Sequence, residues 1–430
     1  MPSVRVFVSP SPALVAPLEA PARDVWVLER TLGETMARDL AAAGLEVVPV
    51  GSLEEGEFRA KHEPDGGFLL LDSVLCSPTV IRRFIRAARS KAGPMALVCA
   101  LPRAVGTDYL SPIEGLDPRD APGGRGSVWT VPFYFVRGTA SLDGAEPAVQ
   151  AYREKVLRFP VPFGILGKSG QEVLLGLSES YMCNVSHWLH VLRINSAGIF
   201  GWWVKRLRVG YIFGAFWLFW RFMFGFPWWG GRLARAIRGV SWGARVHHTA
   251  VVELSIVRKG ATVGANSTLR NSFVDEGAVI GEGARISGSV IGKGAFVTAN
   301  AVVTLSVVYP RAMAGQLLMQ ASVLGRDSAA FTNSNFFDVN FARNVRVSHR
   351  GRIVDSGTQT LGVCVGPKAR VAAGVWVASG REVPAGAVLV KPSGEVATLM
   401  GHPRPGEAHI VVDGSVVPIP KVDPRAACKG

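Results

Sequence analysis

The sequence predicts an N-terminal α/β domain followed by a C-terminal parallel β-helix. Three observations support this prediction. Strand-like and helix-like segments alternate through residues 4–100, aliphatic residues recur every six positions from residue 246 onward, and a Trp- and Phe-rich apolar segment, 197–231, separates these two regions.

The first region has the alternation of an α/β domain with a mostly parallel sheet. An amphipathic helix over 26–43 is expected to end at Gly44, since glycine readily adopts the backbone conformation that closes a helix. The other predicted elements are strands 4–8, 45–50, 68–71 and 95–100, a basic helix 80–90, a long loop 101–127 and a closing part 128–180.

The bulk composition narrows the class of partner. The chain has 430 residues, 48% apolar residues and a net charge of +14, and its mean hydropathy is +0.24. This charge favours acidic partners, and because no nucleic-acid motif is visible we expect an anionic membrane surface or phosphate-bearing precursors.

The five cysteines are scattered without C-x-x-C spacing, which is typical of reduced thiols. No signal peptide is recognised.

The repeat in the C-terminal half is the most regular feature of the chain. Its aliphatic residues are spaced by six, six and five, so one triangular coil takes about 17 residues with one aliphatic side chain pointing inward per face. Such coils stack because one coil cannot bury its own core. The expected inward residues are Val257, Val263, Leu269, Val274, Ile280, Ile286, Ile291, Val297, Val303, and later Val365, Val371, Val377 and Val383.

This repeat resembles the left-handed β-helix of the hexapeptide-repeat transferases. That family includes acyltransferases for sugars and lipid precursors, and also sugar nucleotidyltransferases with a C-terminal β-helix. The resemblance implies a left-handed coil, a homotrimer and a transferase activity on sugar phosphates, sugar nucleotides or acyl donors.

The N-terminal half resembles the nucleotidyltransferase domain of the second group in the order of its elements. A strand at 4–8 leads into a loop, a helix, the Ala43-Gly44 turn and a strand at 45–50. Strand 68–71 followed by Asp72 is similar to the strand that carries the family's metal-binding aspartate. The resemblance implies that Asp72 would hold Mg²⁺ if this domain were active, and a turn or capping role is the alternative.

The loop after the first strand departs from that family. The family's loop is glycine-rich because its backbone N–H groups approach nucleotide phosphates. Here residues 9–17 contain Pro10, Pro12 and Pro17 and no glycine, and each proline removes an N–H donor. The sequence therefore predicts a degenerate, inactive nucleotidyltransferase-like domain.

The aromatic segment predicts contact with a membrane. Arg221 is its only charged residue between Val209 and Gly231, and arginines flank both sides. Tryptophan prefers the membrane interface, and basic residues on both flanks oppose a single span, so we expect an interfacial anchor on anionic lipid. A helical plug on the first coil is the alternative. The predicted contact residues are Trp202, Trp203, Trp217, Trp220, Trp228, Trp229, Arg232 and Arg235.

Histidines are the candidates for general-base catalysis, because a neutral imidazole accepts a proton near pH 7. His247 and His248 open the first coil, which is an edge position. His349 follows an irregular stretch, 310–344, that interrupts the repeat, and it is the best candidate for the base; a surface histidine among arginines is the alternative. His187 and His190 share a helix face and are expected to pack rather than bind metal. Asn333, Asn335, Asp338 and Arg350 are the candidate substrate-binding residues near His349.

These observations define four regions and three functional hypotheses. The regions are 1–180 (α/β), 181–240 (membrane-contacting or capping), 241–400 (β-helix with an irregular insertion near 310–352) and the tail 401–430. The first hypothesis is a membrane-associated, nucleotidyltransferase-like transferase of envelope polysaccharide or glycolipid precursor synthesis, cytoplasmic and peripheral to the inner face of the membrane. The alternatives are an acyltransferase acting in the β-helix groove with His349 as base, and a non-enzymatic trimeric scaffold.

Overall fold

The computed structural model describes residues 4–12, 14–122, 126–160, 172–199, 239–315, 318–395, 397 and 409–418. Within these ranges an α/β domain packs against one face of a C-terminal β-helix, and the two share one hydrophobic core. The α/β domain and the β-helix expected from the sequence are confirmed, and the stacked sheets fit a left-handed coil.

The α/β domain is built on one mixed sheet. Its elements are β1 (Val4–Ser9), α1 (Leu32–Ala41), β2 (Leu45–Pro49), α2 (Leu53–Lys61), β3 (Gly67–Leu71), α3 (Pro78–Arg89), β4 (Met95–Pro102), β5 (Ser127–Arg137) and β6 (Glu146–Val149). The strand order is β6-β4-β5-β3-β1-β2. Pairs β1–β2, β1–β3 and β4–β6 are parallel, whereas β5 runs antiparallel to both β3 and β4.

Short elements surround this sheet. Three-residue 3₁₀ helices lie at Ala22–Asp24, Leu142–Gly144 and Ser393–Glu395, and a four-residue helix lies at Val105–Asp108. The antiparallel strand pairs are Leu14–Val15 with Ala20–Pro21, Trp26–Val27 with Arg30–Thr31, Val74–Cys76 with Met182–Asn184, Lys155–Pro160 with Glu172–Leu177, and His409–Val412 with Ser415–Pro418; Asp117–Asp120 pairs with β5. Residues 188–199, here called the connecting helix, are helical and contact both the α/β domain and the β-helix.

Two predictions for this domain are wrong: the start of the first helix and the long loop. The first helix begins at Leu32, not at residue 26, because Thr31 and Glu34 form a capping box that fixes its start. The predicted loop 101–127 contains a helix and the strand that pairs with β5, since its Pro- and Gly-rich composition hides short elements. Gly44 has the positive φ (82°) expected after the helix end.

The β-helix has three faces, each a parallel sheet. Face 1 consists of Gly239–Val240, Ile256–Val257, Phe273–Val274, Val290–Ile291, Val307–Val308, Val323–Leu324, Cys364–Val365 and Glu382–Val383. Face 2 consists of Arg245–Val246, Thr262–Val263, Val279–Ile280, Phe296–Val297, Met313–Ala314, Ala329–Ala330, Arg370–Val371 and Val388–Leu389. Face 3 consists of Val251–Glu253, Thr268–Arg270, Arg285–Ser287, Val302–Thr304 and Met319–Gln320, and the pair Asn335–Phe336 and Trp376–Val377 follows it along the chain.

The inward residues predicted from the repeat are all buried. The irregular stretch predicted over 310–344 is largely wrong, because coil strands continue in parallel register as far as Phe336. The pattern is obscured there by inward Ala314, Met319 and Ala330, which lack the expected branched side chains. One coil is also a residue shorter, since Val307 pairs with Val323. The true insertion lies between Phe336 and Cys364 and contains the hairpin Arg346–His349 and Arg352–Asp355.

A row of serines stacks along the edge of face 1, one per coil. The hydroxyl of each of the first four serines accepts the backbone N–H of the serine in the next coil, at 3.1–3.3 Å, and the hydroxyl of the last accepts the N–H of Val363 at 3.0 Å. Each hydroxyl also donates to the carbonyl two residues before it. These side chains are buried, so the ladder satisfies backbone groups that water cannot reach. The row consists of Ser255, Ser272, Ser289, Ser306 and Ser322.

Face 1 is covered by the α/β domain. The residues after the serines point outward from the coil yet are buried, at 2% exposure or less. They belong to the same core as the α/β domain, and burying each such side chain contributes about 1.5–3 kcal/mol. The row consists of Ile256, Phe273, Val290, Val307 and Val323. This contact fixes the position of the candidate site.

Candidate functional site

The candidate site lies where the inserted hairpin meets the α/β domain. Arg350 and Gly351 form the hairpin turn with φ of 48° and 74°, the left-handed pair that a two-residue turn requires. Val347 on the first strand and Val345 just before it are buried in the core shared with the α/β domain. The hairpin is therefore packed against that domain, with His349 next to its turn.

His349 pairs with an acidic residue of the α/β domain. Its Nε2 lies 3.4 Å from Oε2 of Glu114, and Nη1 of Arg350 lies 3.0 Å from the same oxygen. The imidazole is only 9% exposed, whereas the side chains of Glu114 and Arg350 are 53% and 60% exposed. The pair thus stands at the rim of the domain contact, open to solvent on the side of Glu114.

The environment of His349 favours a neutral imidazole. Burial lowers its pKa below the ordinary value, and Glu114 opposes this shift without overcoming it. A carboxylate only accepts hydrogen bonds, so Nε2 of His349 carries the proton that faces Glu114. In this tautomer Nδ1 carries the lone pair.

His187 lies directly against His349, with ring centroids 5.6 Å apart. Its Nε2 donates to the carbonyl of Ser348 at 3.0 Å and lies 3.4 Å from a carboxylate oxygen of Glu382 on face 1. Its Nδ1 accepts the backbone N–H of Leu189. Because both nitrogens of His187 are engaged, we assign it a positioning role toward the hairpin.

His190 holds the turn that carries Glu114. Its Nε2 donates to the carbonyl of Pro112 at 2.7 Å, and its Nδ1 accepts backbone N–H groups of Ser186 and His187. Burial lowers the pKa of His190 to about 3, so the ring stays neutral. A side chain at Gly115 would approach Nε2 of His190 to 2.8 Å, which explains the glycine in this turn. Both histidines therefore pack in the domain contact, as the sequence indicated.

Arg193 supports the same contact from the connecting helix. Its guanidinium donates to the carbonyls of Tyr109 and Ser356, and it lies 4.8 Å from the centroid of the Tyr109 ring. These bonds join the α/β domain to the inserted segment, and burial lowers the pKa of Arg193. The geometry around His349 is thus fixed from both sides.

Sequence reasoning missed Glu114 and Glu382 as members of this site. Glu114 and His349 are 235 residues apart, so no local spacing could connect them. The inserted hairpin that carries His349 packs against the α/β domain of its own chain, and the location of His349 in a groove of the β-helix stays a prediction. His247 and His248 are exposed on the first coil, with their rings 4.3 Å apart.

The other predicted substrate-binding residues separate into two groups. Arg350 joins His349 at Glu114. Asn333 and Asn335 are exposed beside Trp376, which pairs with Asn335 across the last two coils, and Asp338 is half-buried and accepts the N–H of Leu361 through its backbone carbonyl. Within the described ranges, no hydrogen bond or ion pair connects these three residues to Glu114.

Asp72 lies at the carboxyl ends of β1 and β3, where an open α/β sheet presents a ligand crevice. One carboxylate oxygen accepts the N–H of Ser11 at 2.7 Å, and the other lies 3.5 Å from a guanidinium nitrogen of Arg23. Burial is the largest influence on its pKa, which is raised. Across the part of the chain that the structure describes, no three His, Cys, Asp or Glu residues are grouped to hold a metal ion.

The predicted membrane-contact residues, from Trp202 to Arg235, lie outside the described residues. Among the residues that are described, no helix combines the length and hydrophobicity needed to cross a bilayer. The four cysteines at 76, 99, 183 and 364 are buried and free.

The comparisons with known proteins show a similarity of fold and nothing about activity. No protein-family model matches the chain, and no curated protein matches it. Among solved structures, a mutant of perosamine N-acetyltransferase from Caulobacter crescentus, in complex with CoA and GDP-perosamine, is 17% identical over 37% of this chain and 57% of that chain, with a TM-score of 0.17. A hexapeptide transferase family protein from Anaplasma phagocytophilum is 17% identical over 35% of this chain and 72% of that chain, with a TM-score of 0.19.

The chain thus spans little more than half the length of the first of these structures. Likeness at such identities and TM-scores carries no argument about activity. The β-helix rests instead on the parallel register of its own strands, and any activity has to be argued from the residues around His349.

Proposed function

We propose that the protein is a transferase that moves an acyl group from an acyl thioester to a hydroxyl or amine of a sugar-bearing envelope or glycolipid precursor. The observation that supports this proposal is the pairing of His349 with Glu114 across the domain contact. A buried imidazole oriented by a carboxylate is a suitable general base.

The proposed reaction assigns each proton. Nδ1 of His349 removes the proton from the acceptor hydroxyl or amine while the acceptor attacks the thioester carbonyl. The new C–O or C–N bond forms, the C–S bond breaks, and the departing thiolate takes the proton back from the imidazolium. Glu114 orients the ring and stabilises the transient imidazolium by its negative charge. The lowered pKa of His349 keeps the base neutral at physiological pH.

Arg350 has the chemistry to bind a phosphate of the sugar substrate. Its guanidinium is 60% exposed and lies beside Glu114, so its free nitrogens face solvent at the rim of the site. Guanidinium groups bind phosphate in a bidentate geometry. A sugar phosphate or sugar nucleotide held there would place its sugar beside the imidazole.

The crevice of the α/β domain does not fit nucleotidyl transfer. Both carboxylate oxygens of Asp72 are already engaged by Ser11 and Arg23, and the proline-containing loop offers few N–H groups. The donor set around Asp72 therefore does not fit Mg²⁺, and we assign no step to that ion. We propose that this domain instead supplies Glu114 to the acyl-transfer site.

The test measures thiol release from a panel of acyl-coenzyme A and acyl-carrier donors, with sugar phosphates and sugar nucleotides as acceptors. We expect His349→Gln to lower kcat/KM by about 10²–10⁴-fold. Glu114→Gln is expected to lower it less and to change its pH profile. His62→Gln, an exposed histidine on the far side of the domain, is the matched control and should leave the rate unchanged.

The alternatives give different results. Pyrophosphate release from a nucleoside triphosphate and a sugar 1-phosphate, lost in Asp72→Ala, would restore the nucleotidyltransferase hypothesis. Acyl transfer that persists in His349→Gln would contradict the proposed base. The absence of both activities from the folded protein would leave the scaffold hypothesis.

A further inference from the structure

An open groove in the α/β domain lies between the end of α1 and the outer face of α3. Its residues are distant in sequence from His349. It has a volume of ≈ 510 Å³. Its lining residues are Ala43, Arg82, Ile85, Arg86, Arg89 and Ser90. Ile85 is nearly buried and forms an apolar floor, while the arginines are exposed around it.

The three arginines of this groove lie on one side of α3. Arg82, Arg86 and Arg89 follow each other at intervals of four and three, which are neighbouring positions on a helix surface. None of the three has an acidic partner within the described residues. Some other arginines on the protein surface are paired with a carboxylate, as Arg5 is with Glu63 and Arg311 with Asp327.

Arg83 on the same helix shows the contrast. It points to the other side of α3 and donates to the carbonyl of Ala151 and to the hydroxyl of Ser180, so its role is structural. Across the described part of the chain, the groove arginines make no such hydrogen bond. Like charges three and four residues apart repel each other on a helix, so the groove is expected to gain from a bound anion.

The helix dipole alone accounts for only part of this arrangement. Arg86 and Arg89 lie in the last turn of α3, where a positive charge is favourable. Arg82 lies nearly two turns from the end, beyond the range of that effect. Three guanidinium groups that line one groove with an apolar floor suit a ligand with a doubly charged phosphate or diphosphate group, because each guanidinium can donate two hydrogen bonds to its oxygens.

We propose that the groove of Arg82, Arg86 and Arg89 is a binding site for a phosphate-bearing ligand, separate from the acyl-transfer site. The same chemistry is offered by free phosphate compounds and by phosphate headgroups at a membrane surface. The site does not depend on the activity assigned to His349.

The test compares two triple variants of the full-length chain. Arg82→Gln/Arg86→Gln/Arg89→Gln removes the groove charges and keeps good helix formers. Arg245→Gln/Arg285→Gln/Arg370→Gln removes the same number of charges from exposed positions of the β-helix and is the control for net charge. Thermal melting verifies that both variants fold.

Two ligands distinguish the sources of phosphate. Calorimetry with inorganic pyrophosphate measures binding of a free anion, and flotation with phosphatidylcholine vesicles, with and without phosphatidylserine, measures binding of headgroups. We expect the groove variant to lose roughly 10²-fold in affinity for one or both ligands, the fold-change that about 1 kcal/mol for each of three arginines gives. The control variant should lose much less.

A loss of affinity for pyrophosphate alone assigns the groove to a free ligand. A loss of affinity for phosphatidylserine vesicles alone assigns it to a membrane surface. The proposal is overturned if the wild-type protein binds neither ligand. It is equally overturned if the groove and control variants lose affinity to the same extent, because net charge would then explain the binding.

Discussion

Trp188 of the connecting helix donates its indole N–H to a carboxylate oxygen of Glu382 on face 1, at 2.9 Å, from a fully buried position. The same oxygen lies 3.4 Å from Nε2 of His187. One carboxylate of the β-helix thus binds two side chains of the segment that leads out of the α/β domain, directly beneath the hairpin that carries His349.

Substitution of Glu382 tests this relationship. Glu382→Ala leaves a buried indole N–H without an acceptor, and we expect a loss of about 1–3 kcal/mol in the free energy of unfolding. Glu382→Gln keeps an acceptor oxygen and should lose less. Urea denaturation of both variants measures the difference, and an equal loss would show that the charge, not the hydrogen bond, stabilises the contact.

The outward residues of face 1 should behave as core residues. Phe273 is fully buried although it points away from the coil interior, so Phe273→Ala is expected to cost about 3–5 kcal/mol. Phe58 on α2 is 64% exposed, and Phe58→Ala should cost no more than roughly 1 kcal/mol. Denaturant unfolding of the two variants compares them. Equal losses would mean that the α/β domain does not cover face 1 in solution.

Asp275 should make the protein less stable as the pH rises. Burial raises its pKa from 3.8 to about 6, so between these values the folded state binds more protons than the unfolded state. The contribution of Asp275 to the free energy of unfolding therefore falls as the pH rises from about 4 to about 6. Asp275→Asn should raise Tm at pH 7 and have a smaller effect below pH 4. A lower Tm at pH 7 would instead show that Arg258, at 3.9 Å, stabilises the charged form.

The family resemblance implies a homotrimer. Its subunit contacts have to leave out face 1, because the α/β domain of the same chain covers that face. Phe296 and Val279 are adjacent on face 2 and are 42% and 40% exposed. We expect Phe296→Glu to dissociate a trimer seen by light scattering, because a carboxylate would replace an apolar contact. Phe58→Glu introduces the same change on the α/β domain and should leave the trimer intact. A monomeric wild-type protein would refute the prediction.

The Trp-rich segment remains a prediction of membrane contact. Each aromatic side chain buried at the interface contributes about 1.5–3 kcal/mol. Vesicle flotation should therefore weaken when Trp217, Trp220, Trp228 and Trp229 are replaced together by serine, and it should weaken with salt through the flanking arginines. Cysteine labelling that placed residues 150 and 260 on opposite sides of the membrane would contradict an anchor and support a span.

The sequence predicted the β-helix because its inward residues keep the six-residue interval. The repeat could not be recognised over 310–336, because Ala314 and Ala330 take inward positions there and one coil is a residue shorter. A second signal was overlooked: Ser-apolar-apolar recurs at 255, 272, 289, 306 and 322, and it marks both the serine ladder and the covered face. Parts of the candidate site were predictable as single residues, such as His349. The contact of Glu114 with His349 spans 235 residues and that of Glu382 with Trp188 spans 194, and no local pattern encodes such contacts.

The apolar row on face 1 also limits how such a chain can be assembled by recombination. A β-helix with polar residues on all three faces could be joined to any preceding domain, and its coils could be duplicated or deleted freely. Here, a gain or loss of one coil would move Glu382 relative to Trp188 and the hairpin relative to Glu114. The number of coils between residue 239 and the inserted hairpin is therefore expected to be inherited together with the α/β domain, as one unit.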